Sequence, residues 1–336
     1  MSSTLAWAQT ARSSFDRDQS YPIGRAQEEL GFKGEVDFKE GMRRTVAWLD
    51  STGGAPMSPA DLLAQRSAWF PRPVASPPAG RPDPASAPLR LVCFPYAGGT
   101  VSAFRGWQEQ LGDAVAVVPV QLPGRGLRLR ERPFDTMAPL TEAVADALEE
   151  HGLVHDYALF GHSMGALLAY EVACVLRRRA LLATRHLFVS GSRAPHLYGD
   201  RADHALPDAA LREVIRDLGG LDDADTLGAA HSDRRLPVLR ADLRACERHG
   251  WQPRPPLDCP TTAFSATEDP IATPEMVEAW RPHTTGSFLR RHLPGNHFFL
   301  NGGPSRDRLL AHLGSELDAL GTTPHRKAKR EATLTS

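Results

Sequence analysis

The sequence predicts an α/β fold: a mostly parallel central sheet flanked by helices, with a helical lid over one end. Three observations predict it. After Leu89, short runs of β-branched and apolar residues alternate with longer helical patterns, the signature of βαβ units. One such strand, YALFGH (157–162), runs into Ser163 and on into the helical pattern MGALLAYEVACVL, with Gly161 and Gly165 at the serine's second neighbours. A stretch of about sixty residues, from about 197 to 256, carries helical patterning and no strand, which reads as a lid inserted into the alternation.

In chain order, the strands are expected at 89–96, 115–122, 157–162, 186–192, 261–267 and 287–293. Helices are expected at about 102–111, 138–151, 165–178, 206–218 and 303–320. The main domain therefore spans 89–320. Before it, residues 71–88 hold seven prolines with Ala, Ser and Gly between them, the composition of an extended, semi-rigid linker. After it, the polar tail 321–336 is expected to be disordered. Residues 1–70 form a separate extension. Within it, Asp37 and Glu40 make a capping-box-like start, and Met42, Val46 and Leu49 share a helical face. The piece SYPIGRAQEELGFKGEVDFKEGMRRTVAWLD resembles the C-terminal end of extended short-chain dehydrogenases. No dinucleotide fingerprint follows a strand anywhere in the chain, so that likeness implies no oxidoreductase activity.

Composition excludes several classes. The 39 basic and 40 acidic residues nearly cancel, so nothing steers the chain to nucleic acid or an anionic membrane. Arginine carries the positive charge, because lysine occurs only at 33, 39, 327 and 329. Cys93, Cys174, Cys246 and Cys259 are scattered without a CxxC pair, so no metal or redox motif is expected, and no cofactor. No segment has the length and apolarity of a signal peptide or a membrane span, and a cytoplasmic protein is the expectation.

A strand–serine–helix elbow needs nearly side-chain-free second neighbours, because the turn is tight. That makes Ser163 the candidate nucleophile. A serine hydroxyl needs a base within reach and a carboxylate to orient the base. In this arrangement they follow in the order Ser, then Asp or Glu, then His. Asp269 follows the strand TTAFSAT, and His297 follows the next strand on a glycine-bearing turn. The rivals are weaker. Glu268 points elsewhere on its turn, His292 lies within a strand, His283 precedes that strand, and chain stiffness aims His162 beneath the elbow. The oxyanion donors are expected to be the backbone N–H of Met164, after the nucleophile, and of Ala97 in the loop FPYAGG (94–99). Arg125, Arg128 and Glu131 read as structural residues of the next loop. Arg240 and Asp242 read as lid residues that either pair with each other or steady its closed form, with no catalytic role.

The motifs FPYAGG (94–99), QLPGRGLRLRERP (121–133), FGHSMGALLAYEVA (160–173), VSGSRAPH (189–196), LPVLRADLRACE (236–247), CPTTAFSATEDP (259–270) and HLPGNHFFL (292–300) occur in one order. Together they resemble the type II thioesterases that accompany polyketide and nonribosomal peptide synthases. The resemblance implies an α/β-hydrolase with a mobile helical lid that cleaves acyl thioesters from the phosphopantetheine arm of acyl or peptidyl carrier proteins, releasing misprimed or stalled groups. It implies Ser163, Asp269 and His297 as the triad, and a monomer. The family commonly has tyrosine at the position of His249 and glycine at that of Asn296. Acyl transfer or simple ester hydrolysis would use the same residues, and a synthase-docking module is the non-enzymatic alternative.

Overall fold

Six of the apolar runs after Leu89 pair side by side, all parallel. The computed structural model describes residues 68–71, 89–181, 183–219 and 228–321, with side chains of 228–234 and 321 excepted. These residues belong to one unit, Leu63–Ser336. The readings made for residues 1–67, the rest of the linker (72–88), the tail from 322 and residues 220–227 lie outside the described residues.

The chain runs β1 (Leu89–Phe94), α1 (Trp107–Leu111), β2 (Val115–Pro119), α2 (Met137–Glu150), β3 (Tyr157–His162), α3 (Met164–Arg178) and β4 (Leu187–Ser190). An insertion with helices α4 (Asp208–Asp217) and α5 (Gly228–Glu247) follows. Then come β5 (Thr261–Ala266), α6 (Pro274–Glu278), β6 (Phe288–Leu293) and α7 (Gly303–Gly321). The sheet order is β2-β1-β3-β4-β5-β6, and each neighbouring pair is parallel. The predicted α/β architecture is borne out. Strand β3 spans 157–162 as read, the other strands are shorter than read, and the expected helix at 102–111 is divided: Gly106 takes φ +77°, separating a 3-10 turn at Val101–Phe104 from α1.

Both faces of a parallel sheet must be covered, and alternate residues of each strand supply the two layers. Val92, Phe94 and Leu159 pack with Leu140 and Val144 of α2 and Leu168 of α3. Leu91, Cys93 and Phe160 face the other way, onto Trp107 of α1 and Leu309 and Leu313 of α7. All six residues of β3 are buried. The chain steps outward from β1 to β2 and returns on the opposite side to β3. The loops leaving β1 and β3 therefore diverge at the carboxyl end of the sheet, where such folds open a crevice.

One packing cluster makes stability depend on pH. His283 is buried beside Trp280 and Tyr170, and its Nε2 lies 2.7 Å from Nδ1 of His196. Burial, helped by the neighbouring His196, pulls its pKa from 6.5 to about 4. The unfolded chain takes up this proton as pH drops through 6.5, whereas the folded chain resists until about 4. The stabilisation is therefore complete above pH 6.5 and lost on acidification through that window. Urea midpoints measured between pH 7 and pH 4 should fall, and should fall less steeply in His283→Gln. Buried His186, also held at about 4, keeps the slope from vanishing.

Candidate active site

Ser163 stands between β3 and α3 with φ +55° and ψ −119°, a backbone conformation that a residue with a side chain rarely adopts. It is held there by two hydrogen bonds: its N–H donates to Ser190 O at 2.8 Å, and its carbonyl accepts from Ala166 N–H at 3.0 Å. The two glycines are a matter of space. A Cβ on Gly161 would stand 2.0 Å from the carbonyl oxygen of Gly165, and one on Gly165 would stand 2.2 Å from that of Phe94. The helix start thus lies directly on β3 and on the end of β1.

Asp269 follows β5 and His297 follows β6. Because all strands run parallel, both loops emerge at the same sheet end as the elbow. Asp269 Oδ2 accepts from His297 Nδ1 at 2.8 Å, with both side chains buried. The other carboxylate oxygen accepts from the N–H groups of Ile271 and Ala272, each at 3.1 Å. Both oxygens are thereby satisfied and the carboxylate cannot turn away. With its Nδ1–H committed to Asp269, a neutral His297 keeps Nε2 as its acceptor.

His162 links the elbow to the histidine loop. A backbone carbonyl can only accept, so His162 Nε2 carries the proton and donates to His297 O at 2.9 Å, while Nδ1 accepts from Ser190 Oγ at 2.9 Å. Complete burial, followed by the nearby His297, holds its pKa well below 6.5, so the ring is neutral. Asn296 caps the same loop, its Oδ1 accepting from Phe298 N–H at 2.9 Å.

The rival residues lie elsewhere. Glu268 is exposed and gives only its N–H, to Gly295 O. His292 sits on the edge strand β6, paired with Ser265 Oγ. The four cysteines are buried. Burial pushes the thiols of Cys93 and Cys246 well up and that of Cys259 to about 12, so none is a thiolate at neutral pH.

A cavity of about 70 Å³ is lined by Ala97, Ser163 and Met164 on one side. Val214, Leu218 and Leu243 of the β4–β5 insertion line it too. In the loop after β1, Gly99 N–H closes a tight turn onto Tyr96 O at 2.8 Å, and Gly98 takes φ +73°. Of the two readings for Arg240 and Asp242, pairing with each other does not occur. Arg240 instead binds Asp208 at 2.5 Å and Leu206 O at 2.7 Å, within the insertion. Asp242 pairs with Arg125, 117 residues away, through two hydrogen bonds of 2.6 and 2.7 Å. The residues of that pair were each noticed in the sequence, but no spacing joins them. Arg128 stacks its guanidinium 3.7 Å from the Trp69 ring and binds Glu131. His249 lies 3.3 Å from Glu171, whose carboxylate is gripped by Arg254 at 2.8 Å on both oxygens.

The family model of the thioesterase domain matches residues 89–317. The chain belongs to the thioesterase family. Among solved structures it is similar to RedJ, a thioesterase from the prodiginine biosynthetic pathway in Streptomyces coelicolor, at 88% identity and a TM-score of 0.70, covering 75% of this chain and 99% of that one. It is also similar to BorB, the type II thioesterase from the borrelidin biosynthetic cluster, at 32% identity and a TM-score of 0.62, covering 75% and 97%. A curated relative, the linear gramicidin dehydrogenase LgrE of Brevibacillus parabrevis, is 39% identical over 239 residues, 70% of this chain and 90% of that protein. That relative's name brings no oxidoreductase chemistry here, since the thioesterase follows β1 with Phe94-Pro95-Tyr96-Ala97-Gly98-Gly99 instead of a dinucleotide-binding glycine pattern. The protein is a hydrolase of thioester bonds of the kind associated with polyketide and nonribosomal peptide biosynthesis. No helix among the described residues is long and apolar enough to cross a membrane.

Proposed function

We propose that this thioesterase edits biosynthetic assembly lines, hydrolysing misprimed or stalled acyl groups from the phosphopantetheine arms of acyl or peptidyl carrier proteins, as a cytoplasmic monomer. The observation that carries the chemistry is the buried Asp269–His297 hydrogen bond, at the same sheet end as the strained Ser163. The biosynthetic relatives support the class of substrate.

In this reading Ser163 Oγ attacks the thioester carbonyl while His297 Nε2 takes its proton. Asp269 keeps the ring in the tautomer that can accept and stabilises the imidazolium that forms. The carbonyl oxygen, now anionic, is received by the N–H groups of Met164 and Ala97, aided by the N-terminal dipole of the 15-residue helix α3. Collapse of the intermediate breaks the carbon–sulfur bond, and His297 returns the proton to the departing thiolate. Water then attacks the acyl-serine, His297 again taking a proton, and the free acid leaves with Ser163 restored. A thiolate is a good leaving group, so a nucleophile, a base and two donors suffice. The β4–β5 insertion acts as a lid, and the slender arm enters beneath it.

The test loads a phosphopantetheinylated carrier protein with acetyl, propionyl or aminoacyl groups in separate reactions and follows release of the free thiol. Release from the carrier at a rate well above that from simple esters supports editing, and the ranking of acyl groups indicates the type of assembly line. Intact thioesters beside rapid ester cleavage overturn it. In the same assay Asp269→Asn should lower kcat by about 10³–10⁴-fold, because an amide facing Nδ1 favours the wrong tautomer of His297. Its melting temperature should change little, since the asparagine oxygen still accepts from Ile271 and Ala272.

A further inference from the structure

In the turn that carries Ala97, the backbone N–H groups of residues 97, 98 and 99 have different fates. Gly99 N–H closes the turn onto Tyr96 O. Gly98 N–H donates to Asp242 Oδ2 at 2.7 Å, across 144 residues of sequence. Ala97 N–H has no partner within the described residues, and Ala97 lines the cavity with Ser163. The carboxylate that takes Gly98 N–H belongs to α5 and is itself seized by Arg125 in the loop after β2. Arg125 holds the same turn from its other end, donating Nη1 to Gly99 O at 3.2 Å, and anchors itself through Nε to Pro123 O at 3.2 Å. The pair is nearly dry, with side-chain exposures of 5% and 2%. Leu239, one turn earlier on α5, closes on the turn, 3.4 Å from where a Cβ on Gly98 would stand.

A buried ion pair is weak grounds for stability, because removing two charges from water costs about as much as their attraction returns. This one sits where geometry matters for the reaction. By occupying Gly98 N–H and Gly99 C=O together, it fixes the Ala97–Gly98 and Gly99–Thr100 peptide planes, and Gly99 N–H on Tyr96 O fixes the plane between them. A residue with φ +73° has no steric preference of its own to do that.

We propose that Asp242 and Arg125 are positioning residues that hold the Tyr96–Gly99 turn so that Ala97 N–H is presented to the developing oxyanion, and that this hold exists only while α5 is docked. The inference rests on the serine mechanism proposed above. It adds that the oxyanion site is assembled by the β4–β5 insertion, so that hydrolysis proceeds only beneath a closed roof.

The test compares wild type, Asp242→Asn and the double variant Arg125→Met/Asp242→Leu, at a temperature far below each melting point. The double variant is the decisive one, because it removes both charges together and leaves neither stranded in the interior. Two rates are read: thioester turnover on an acylated carrier protein, and labelling of Ser163 by a fluorophosphonate, which also draws on the oxyanion donors. Expected are a kcat about 10²-fold down in the double variant with KM within about twofold, and a parallel fall in labelling rate. Asp242→Asn, which keeps an oxygen for Gly98 N–H, should recover much of that loss. A folded double variant with kcat and labelling within about threefold of wild type overturns the proposal and leaves the pair a brace. If wild type cleaves no carrier thioester, the substrate reading fails by itself, and the labelling rates still decide the role of the pair.

Discussion

Ser163→Ala should lower turnover of a carrier-bound thioester by about 10⁴-fold or more, on the precedent that removing the nucleophile of such a unit costs nearly as much as removing the whole unit. Labelling by a fluorophosphonate should vanish with it. The fold should persist, because the hydroxyl makes no hydrogen bond within the described residues and the elbow is held by backbone groups: Ser163 N–H on Ser190 O and Ala166 N–H on Ser163 O. Far-UV circular dichroism and the melting temperature check that. The informative comparison is with Asp269→Asn. A serine that acts as nucleophile should be the costlier loss, whereas equal residual rates in both variants would mean that turnover runs through some other group.

Gly161→Ala should be among the most damaging single added methyls at the described residues. Its Cβ would meet Gly165 O at 2.0 Å, Gly165 C at 2.2 Å and Ala166 N at 2.4 Å, all backbone atoms of the first turn of α3. No rotamer relieves such a clash. The helix start would have to lift from β3, and the interior is packed too densely to give way locally. A loss of at least about 4 kcal/mol is expected, the range reserved for substitutions that break a defined structural feature. The urea midpoint, or failure to obtain folded protein at all, measures it. A variant that unfolds within about 1 kcal/mol of wild type would show that the elbow has room and that the glycine spacing has some other cause.

The elbow was legible because its cause is local. Two glycines at fixed offsets, a buried strand before them and an apolar helix after leave few conformations open to Ser163. Asp269 and His297 were legible for a related reason: in a parallel sheet the ends of successive strands all face one way, so residues just past β5 and β6 arrive at the end where β3 delivers the serine. Exposed Glu268 and the edge-strand His292 were separable from them by position in the pattern. Strand lengths and the break at Gly106 were less legible, since a glycine in a helical pattern does not announce that it will take φ +77°.

The order of strands and helices, the elbow, and the chain order of Ser163, Asp269 and His297 could be read from the residues alone. Each of these follows from spacing and backbone sterics over a few residues. Packing alone set that Asp242 turns from nearby Arg240 to Arg125, that His162 carries the loop of His297, and that Gly98 N–H is spent while Ala97 N–H has no partner among the described residues. The physical reason is that a charge or an N–H chooses its partner by desolvated distance and direction. For groups 117 to 144 residues apart, those exist only once the insertion has packed onto the sheet.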